Sequence, residues 1–128
     1  HRVQVFDGNG KFETQWHNMH RPCGICMCGA GTSNFYIGEL GPGQPVNMKM
    51  PNIGPRVSIV SNKGETIARI GHLGPGTQPD QFLAPHGLAV DRHGDIYVGE
   101  VSFTNQRNMG NPVGPETVTL RKRVKVKH

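Results

Sequence analysis

Short runs in which apolar and polar residues alternate, separated by glycine-containing turns, dominate the chain. His1-Arg2-Val3-Gln4-Val5-Phe6 is followed by Asp7-Gly8-Asn9-Gly10 and a second alternating stretch from Lys11 to Trp16. A period of two places successive side chains on opposite faces of a strand, so this segment predicts a β-hairpin. The same pattern returns at Pro55-Arg56-Val57-Ser58-Ile59-Val60, with its turn ending at Gly64 and its second stretch running from Glu65 to Ile70. A different unit lies between these hairpins. Arg21-Pro22-Cys23-Gly24-Ile25-Cys26 matches Ala84-Pro85-His86-Gly87-Leu88-Ala89, and each leads through a turn into Phe35-Tyr36-Ile37-Gly38-Glu39-Leu40 or Ile96-Tyr97-Val98-Gly99-Glu100-Val101. Arg123-Val124-Lys125-Val126 reads as a third copy of the Arg-Val strand.

With the strands of a four-strand repeat lettered a to d, the chain reads c-d, then a-b-c-d, then a-b-c. Four antiparallel strands per repeat make the blade of a β-propeller. The expected division is a partial blade over residues 1–19, a complete blade over 20–72, and a blade lacking a clear last strand over 73–128. The spacing from Pro22 to Pro85 exceeds the roughly 40–45 residues of a blade. The surplus sits in a Gly/Pro-rich b–c loop at 41–54, and 102–115 takes the equivalent place as a second long loop. Loops of this kind project from one face of a scaffold, where binding residues concentrate. Composition agrees with an all-β reading: 18 Gly and 10 Pro in 128 residues, with 34% hydrophobic residues, fit many tight turns and short strands.

The stretch from Pro85-His86-Gly87-Leu88-Ala89-Val90-Asp91 through Gly94-Asp95-Ile96-Tyr97-Val98, with Gly74-Pro75-Gly76 and Gln81-Phe82 ahead of it, resembles an NHL repeat. Within NHL propellers the chain is most similar to bacterial proteins related to peptidyl-α-hydroxyglycine α-amidating lyase. That resemblance implies a zinc in the central channel held by His residues of Pro-His-Gly motifs, with a calcium deeper in the channel held partly by backbone carbonyls. Carried over, His86 is a zinc ligand and the backbone carbonyl of Leu88 a calcium ligand. Cys23 stands at the position of His86 in the preceding repeat and is a less fitting donor, and Ala84 stands where one lyase blade has Met. No residue matches the family's catalytic Tyr or substrate-binding Arg, so the catalytic residues are unknown.

The remaining chemistry is read from residue types. Glu39 and Glu100 end matching strands in Gly-Glu pairs, a repetition that fits a shared structural task such as accepting backbone N–H groups. In a lactonase-like metal-dependent hydrolase on the same architecture, they would instead bind a cation or act as acid and base. A non-catalytic scaffold that binds a protein or ligand through its long loops is the alternative to both enzymes. Cys23, Cys26 and Cys28 are too few and too close for a disulfide framework, lack a fourth metal ligand nearby, and are expected as buried thiols. Trp16, Phe6 and Phe12 are expected between packed blades, while His17, His20 and His93 carry no metal spacing.

The formal charge of +5 raises nucleic acid as a partner. The excess, however, is concentrated in Arg121, Lys122, Arg123, Lys125 and Lys127, interleaved with Val124 and Val126, which reads as an exposed strand edge, and aromatic residues are scarce. Nucleic acid is therefore not the expected partner, and no run has the length of a membrane span. The first residue is not Met and a strand follows almost at once, which suggests a lost N-terminal portion. The compartment stays open, secreted and periplasmic included. An incomplete ring leaves sheet edges bare, so closure is expected from a longer protein, from a complementary chain, or from self-association.

Overall fold

The computed structural model describes residues 1–27, 33–51, 53–71 and 74–126. Cys28 lies outside these residues, as does Lys127. The described residues form three antiparallel sheets. The first is the hairpin β1 (Val3–Phe6) and β2 (Phe12–Trp16). The second has four strands in chain order: β3 (Pro22–Met27), β4 (Phe35–Glu39), β5 (Arg56–Val60) and β6 (Thr66–Ile70). The third has β7 (Pro85–Val90), β8 (Ile96–Glu100) and β9 (Leu120–Arg123). The chain is thus all-β apart from one helix, α1 (Ser102–Asn108), and a single 3-10 turn at Pro45–Asn47 among the described residues.

Two apolar clusters join the sheets face to face. Trp16, Met19, Ile37 and Val60 are buried together, with Val3, Val5 and Phe35 packed on them, between the first and second sheets. Val57, Phe82, Ile96 and Val98 do the same between the second and third, flanked by Tyr36, Ile70, Leu88 and Val90. The second sheet therefore sends alternate residues to different neighbours: in β4, Ile37 faces the first sheet while Tyr36 faces the third. The second and third sheets approach most closely where β3 runs beside β7. A Cβ on Gly24 would collide with the carbonyl oxygen of His86 and come within 3.2 Å of the Gly87 Cα, so only glycine lets these two strands touch.

Four expectations need correction. Phe6 and Phe12 do not fill the space between sheets. They are about half exposed and meet each other edge to face, with centroids 5.8 Å apart, near the turn end of the hairpin. Neither described cysteine is a buried thiol: Cys23 is exposed and Cys26 half-buried. The last strand is displaced relative to the Arg-Val repeat. Its paired residues are Leu120–Arg123, whereas Val124 and Val126 lie beyond it and are exposed. Register decides this: Arg121 lies opposite Val98 as Ser58 lies opposite Ile37, so Arg121 reaches the buried Glu100. Finally, the segment 102–115 is not all loop. Its helix buries Ser102, Asn105 and Gln106 rather than apolar residues, so no hydrophobic periodicity announces it. Asn105 anchors it by donating to the Leu83 carbonyl at 2.9 Å, and Asn111 donates to Gln106 Oε1 at 2.7 Å.

Candidate functional site

The two repeated glutamates set the geometry from which the site is built. Pro22 opens β3 opposite Glu39, and Pro85 opens β7 opposite Glu100. Both carboxylates are fully buried side chains. Glu39 accepts a two-pronged bond from Arg56, Nε to Oε1 and Nη2 to Oε2, both 2.9 Å. It also accepts the Ser58 hydroxyl and, at 2.7 Å, the backbone N–H of His20. Glu100 accepts the backbone N–H groups of Leu83 and Ala84 at 2.5 and 2.8 Å, and Arg121 Nε at 2.5 Å. Each glutamate thus ties the connection before β3 or β7 to the end of the following strand, with its charge matched by an arginine. This pairing fixes the backbone on either side of Pro22 and Pro85, and with it the aim of Arg21, Cys23 and His86.

Arg21 and His86, the residues beside those two prolines, line a cavity of about 240 Å³. One wall comes from the second sheet and its long loop: Arg21, Leu40, Gly43 and Gln44. The other comes from the third sheet and α1: His86, Val101, Thr104, Asn105 and Asn108. Thr104 and Asn108 are four residues apart on the helix and so share a face. The two walls meet where Gly43, at φ +114°, lies against Asn105. A Cβ there would collide with the Asn105 side-chain oxygen, so the close seating of loop on helix requires glycine.

Arg21 is the most constrained residue of the site. Its backbone sits at φ +49°, in the left-handed region, although the following proline disfavours compact conformations at this position. Such positions cost of order 1–3 kcal/mol and persist where the surroundings over-determine them. Here the Arg21 carbonyl accepts the Leu40 N–H, and its Nη1 donates to the carbonyls of Gly41 and Pro42 at 2.9 and 3.0 Å. The strained residue therefore holds the start of the 41–54 loop.

Of the residues singled out from the sequence, His86 is exposed, lines this cavity, and has no hydrogen-bond partner among the described residues. Cys23 occupies the matching position one strand away. Partial desolvation pushes its thiol pKa up and so disfavours the thiolate, while the charge of Arg21 opposes this less strongly. Leu88 is half-buried and packs on the cluster around Phe82. Glu39 and Glu100 do not line the cavity and are engaged by their arginines. Among the described residues no group of three or more His, Cys, Asp or Glu is placed to hold a metal ion, and no helix is long and apolar enough to cross a membrane.

Sequence reasoning missed Arg21, Gln44, Thr104, Asn105 and Asn108. Arg21 stands where the other repeat has Ala84, so repetition hides it rather than reveals it. Arg56 and Arg121 could have been inferred, because a buried glutamate repeated on matching strands requires a cation within reach. No family model matches the chain, and no curated protein matches it.

Proposed function

We propose that this chain is part of a β-propeller and that its loop-walled cavity is a binding site for a small polar ligand. The propeller reading is supported by three antiparallel sheets packed face to face, with β3 and β7 side by side and their proline openings in the same register against Glu39 and Glu100. The single observation that carries the functional reading is the placement of the cavity. It lies between the two long loops, above the inner strand starts, and gathers polar side chains from two different sheets. Its volume is below the roughly 300–1,000 Å³ of pockets for drug-sized ligands, which fits a small metabolite or the terminal group of a longer chain. Ligand-observed NMR against a library of polar fragments tests this, with Thr104→Trp as control. Thr104 is exposed on α1, so the indole fills the cavity without disturbing the core. Fragment signals lost in the variant support the site; fragments that bind the variant as well as the parent overturn it.

The second reading, a lyase of the peptide-amidating type, is favoured by one observation: His86 and Cys23 stand at equivalent starts of adjacent strands, and His86 is unengaged at the cavity. The described residues do not complete a zinc or calcium shell, since two donors on two strands fall short of the three protein ligands of catalytic zinc sites. Equilibrium dialysis against zinc separates the readings. One bound equivalent that disappears in His86→Ala supports the lyase, and the binding-module reading predicts no His86-dependent zinc.

A further inference from the structure

The inference concerns the ligand class of the same cavity and rests on its being a ligand site. We propose that it selects a small organic carboxylate, held by the side-on edge of the Arg21 guanidinium. None of the lining residues is acidic, and Arg21 is the fixed cation among them. Glu39 and Glu100, which lie opposite Pro22 and Pro85 at the ends of their strands, are each neutralised by their own arginine, Arg56 and Arg121. They therefore do not offset the charge of Arg21 in the cavity.

Arg21 spends only Nη1 on the Gly41 and Pro42 carbonyls. Among the described residues its Nε and Nη2 have no acceptor, and these two parallel N–H groups form the fork that matches a carboxylate. A site that holds this arginine in a strained backbone while leaving its fork unpaired is prepared for an acceptor from outside the chain. The imidazole of His86 lies on the same cavity and can donate to the ligand's remaining oxygen atoms. Leu40 and Val101 give its carbon skeleton an apolar surface. A phosphate would present the same oxyanion, but it offers no carbon skeleton for that surface.

Isothermal titration with succinate, its neutral counterpart succinamide, and inorganic phosphate tests the assignment. Succinate should bind at least ~10-fold more tightly than either of the others. Gln44→Glu is the informative variant because Gln44 is exposed and the change is nearly isosteric. It places a negative charge on the cavity without touching the Arg21 clamp, and like-charge repulsion should weaken succinate about 10-fold while leaving succinamide unchanged. Succinamide binding as tightly as succinate, or phosphate binding more tightly, overturns the carboxylate assignment but leaves a ligand site standing. Succinate affinity that ignores Gln44→Glu overturns it as well. Failure of the broader reading is distinguishable, because then no fragment, charged or neutral, would depend on Thr104.

Discussion

Gly24 and Gly87 form a matched pair that isolates the contact between the second and third sheets. Each is the third residue of its strand, Gly24 in β3 and Gly87 in β7. A methyl group at Gly24 would be driven into the carbonyl group of His86 and within 3.2 Å of the Gly87 Cα, which are backbone atoms that cannot rotate away. At Gly87 the same methyl group would meet nothing within 4 Å. Overpacking of this kind costs about 1–3 kcal/mol, and the obstacle being backbone puts Gly24→Ala at the upper end. Gly87→Ala has no such cost and reduces the freedom of the unfolded chain, which contributes about 0.4–1 kcal/mol in its favour. The expected separation between the two variants is therefore about 3 kcal/mol. Urea unfolding followed by Trp16 fluorescence measures it, since Trp16 is buried in the other joint and reports on the whole unit. The midpoint of Gly24→Ala should fall well below that of the parent, while Gly87→Ala stays level or rises, with unchanged slopes. Equal midpoints for the two variants would refute the close approach of β3 to β7.

Two further perturbations address the charges that hold the sheets. Arg121→Met leaves Glu100 buried without its cation and should destabilise the protein by about 3–5 kcal/mol; adding Glu100→Gln should restore part of that loss in the same urea assay, because the uncompensated charge is then gone. The pKa of Asp95 is held below the ordinary carboxylate range by its bond to Lys122, 2.8 Å away, and by the Lys125 backbone N–H at 2.9 Å. A carboxyl depressed in the folded state stabilises above its unfolded pKa, and that contribution is lost as pH falls through the folded value. Thermal unfolding temperatures of the parent should therefore drop towards acid more steeply than those of Asp95→Asn, and parallel pH profiles would contradict this role.

The strands were legible because alternation and turn glycines report them directly. Val3–Phe6, Arg56–Val60 and Ile96–Glu100 are each formed where the pattern of the chain puts them. Which aromatic fills a joint was not legible: Trp16 and Phe12 both lie on β2, yet the pattern does not say that the turn end of the hairpin extends past its neighbour. The last strand was misplaced because the match of Arg123-Val124 to Arg56-Val57 is local, whereas pairing with β8 is decided by the need of buried Glu100 for Arg121. The helix was invisible for a different reason. Its buried residues are polar: Asn105 is held by the distant Leu83 carbonyl and Gln106 by Asn111, so no apolar periodicity in the segment encodes them. The cavity combines both difficulties. His86 on its lining follows from the repeat. Its walls are what the repeat does not share: Arg21 in place of Ala, the 41–54 loop, and the helix.

Amide mapping by two-dimensional ¹H–¹⁵N NMR, during titration of the strongest fragment found by screening, tests the binding site most directly. The account predicts that Leu40, Gly43 and Gln44 of one wall shift together with His86, Val101 and Thr104 of the other, while the β1–β2 hairpin stays unmoved. Shifts confined to one wall, or centred on the hairpin, would contradict it.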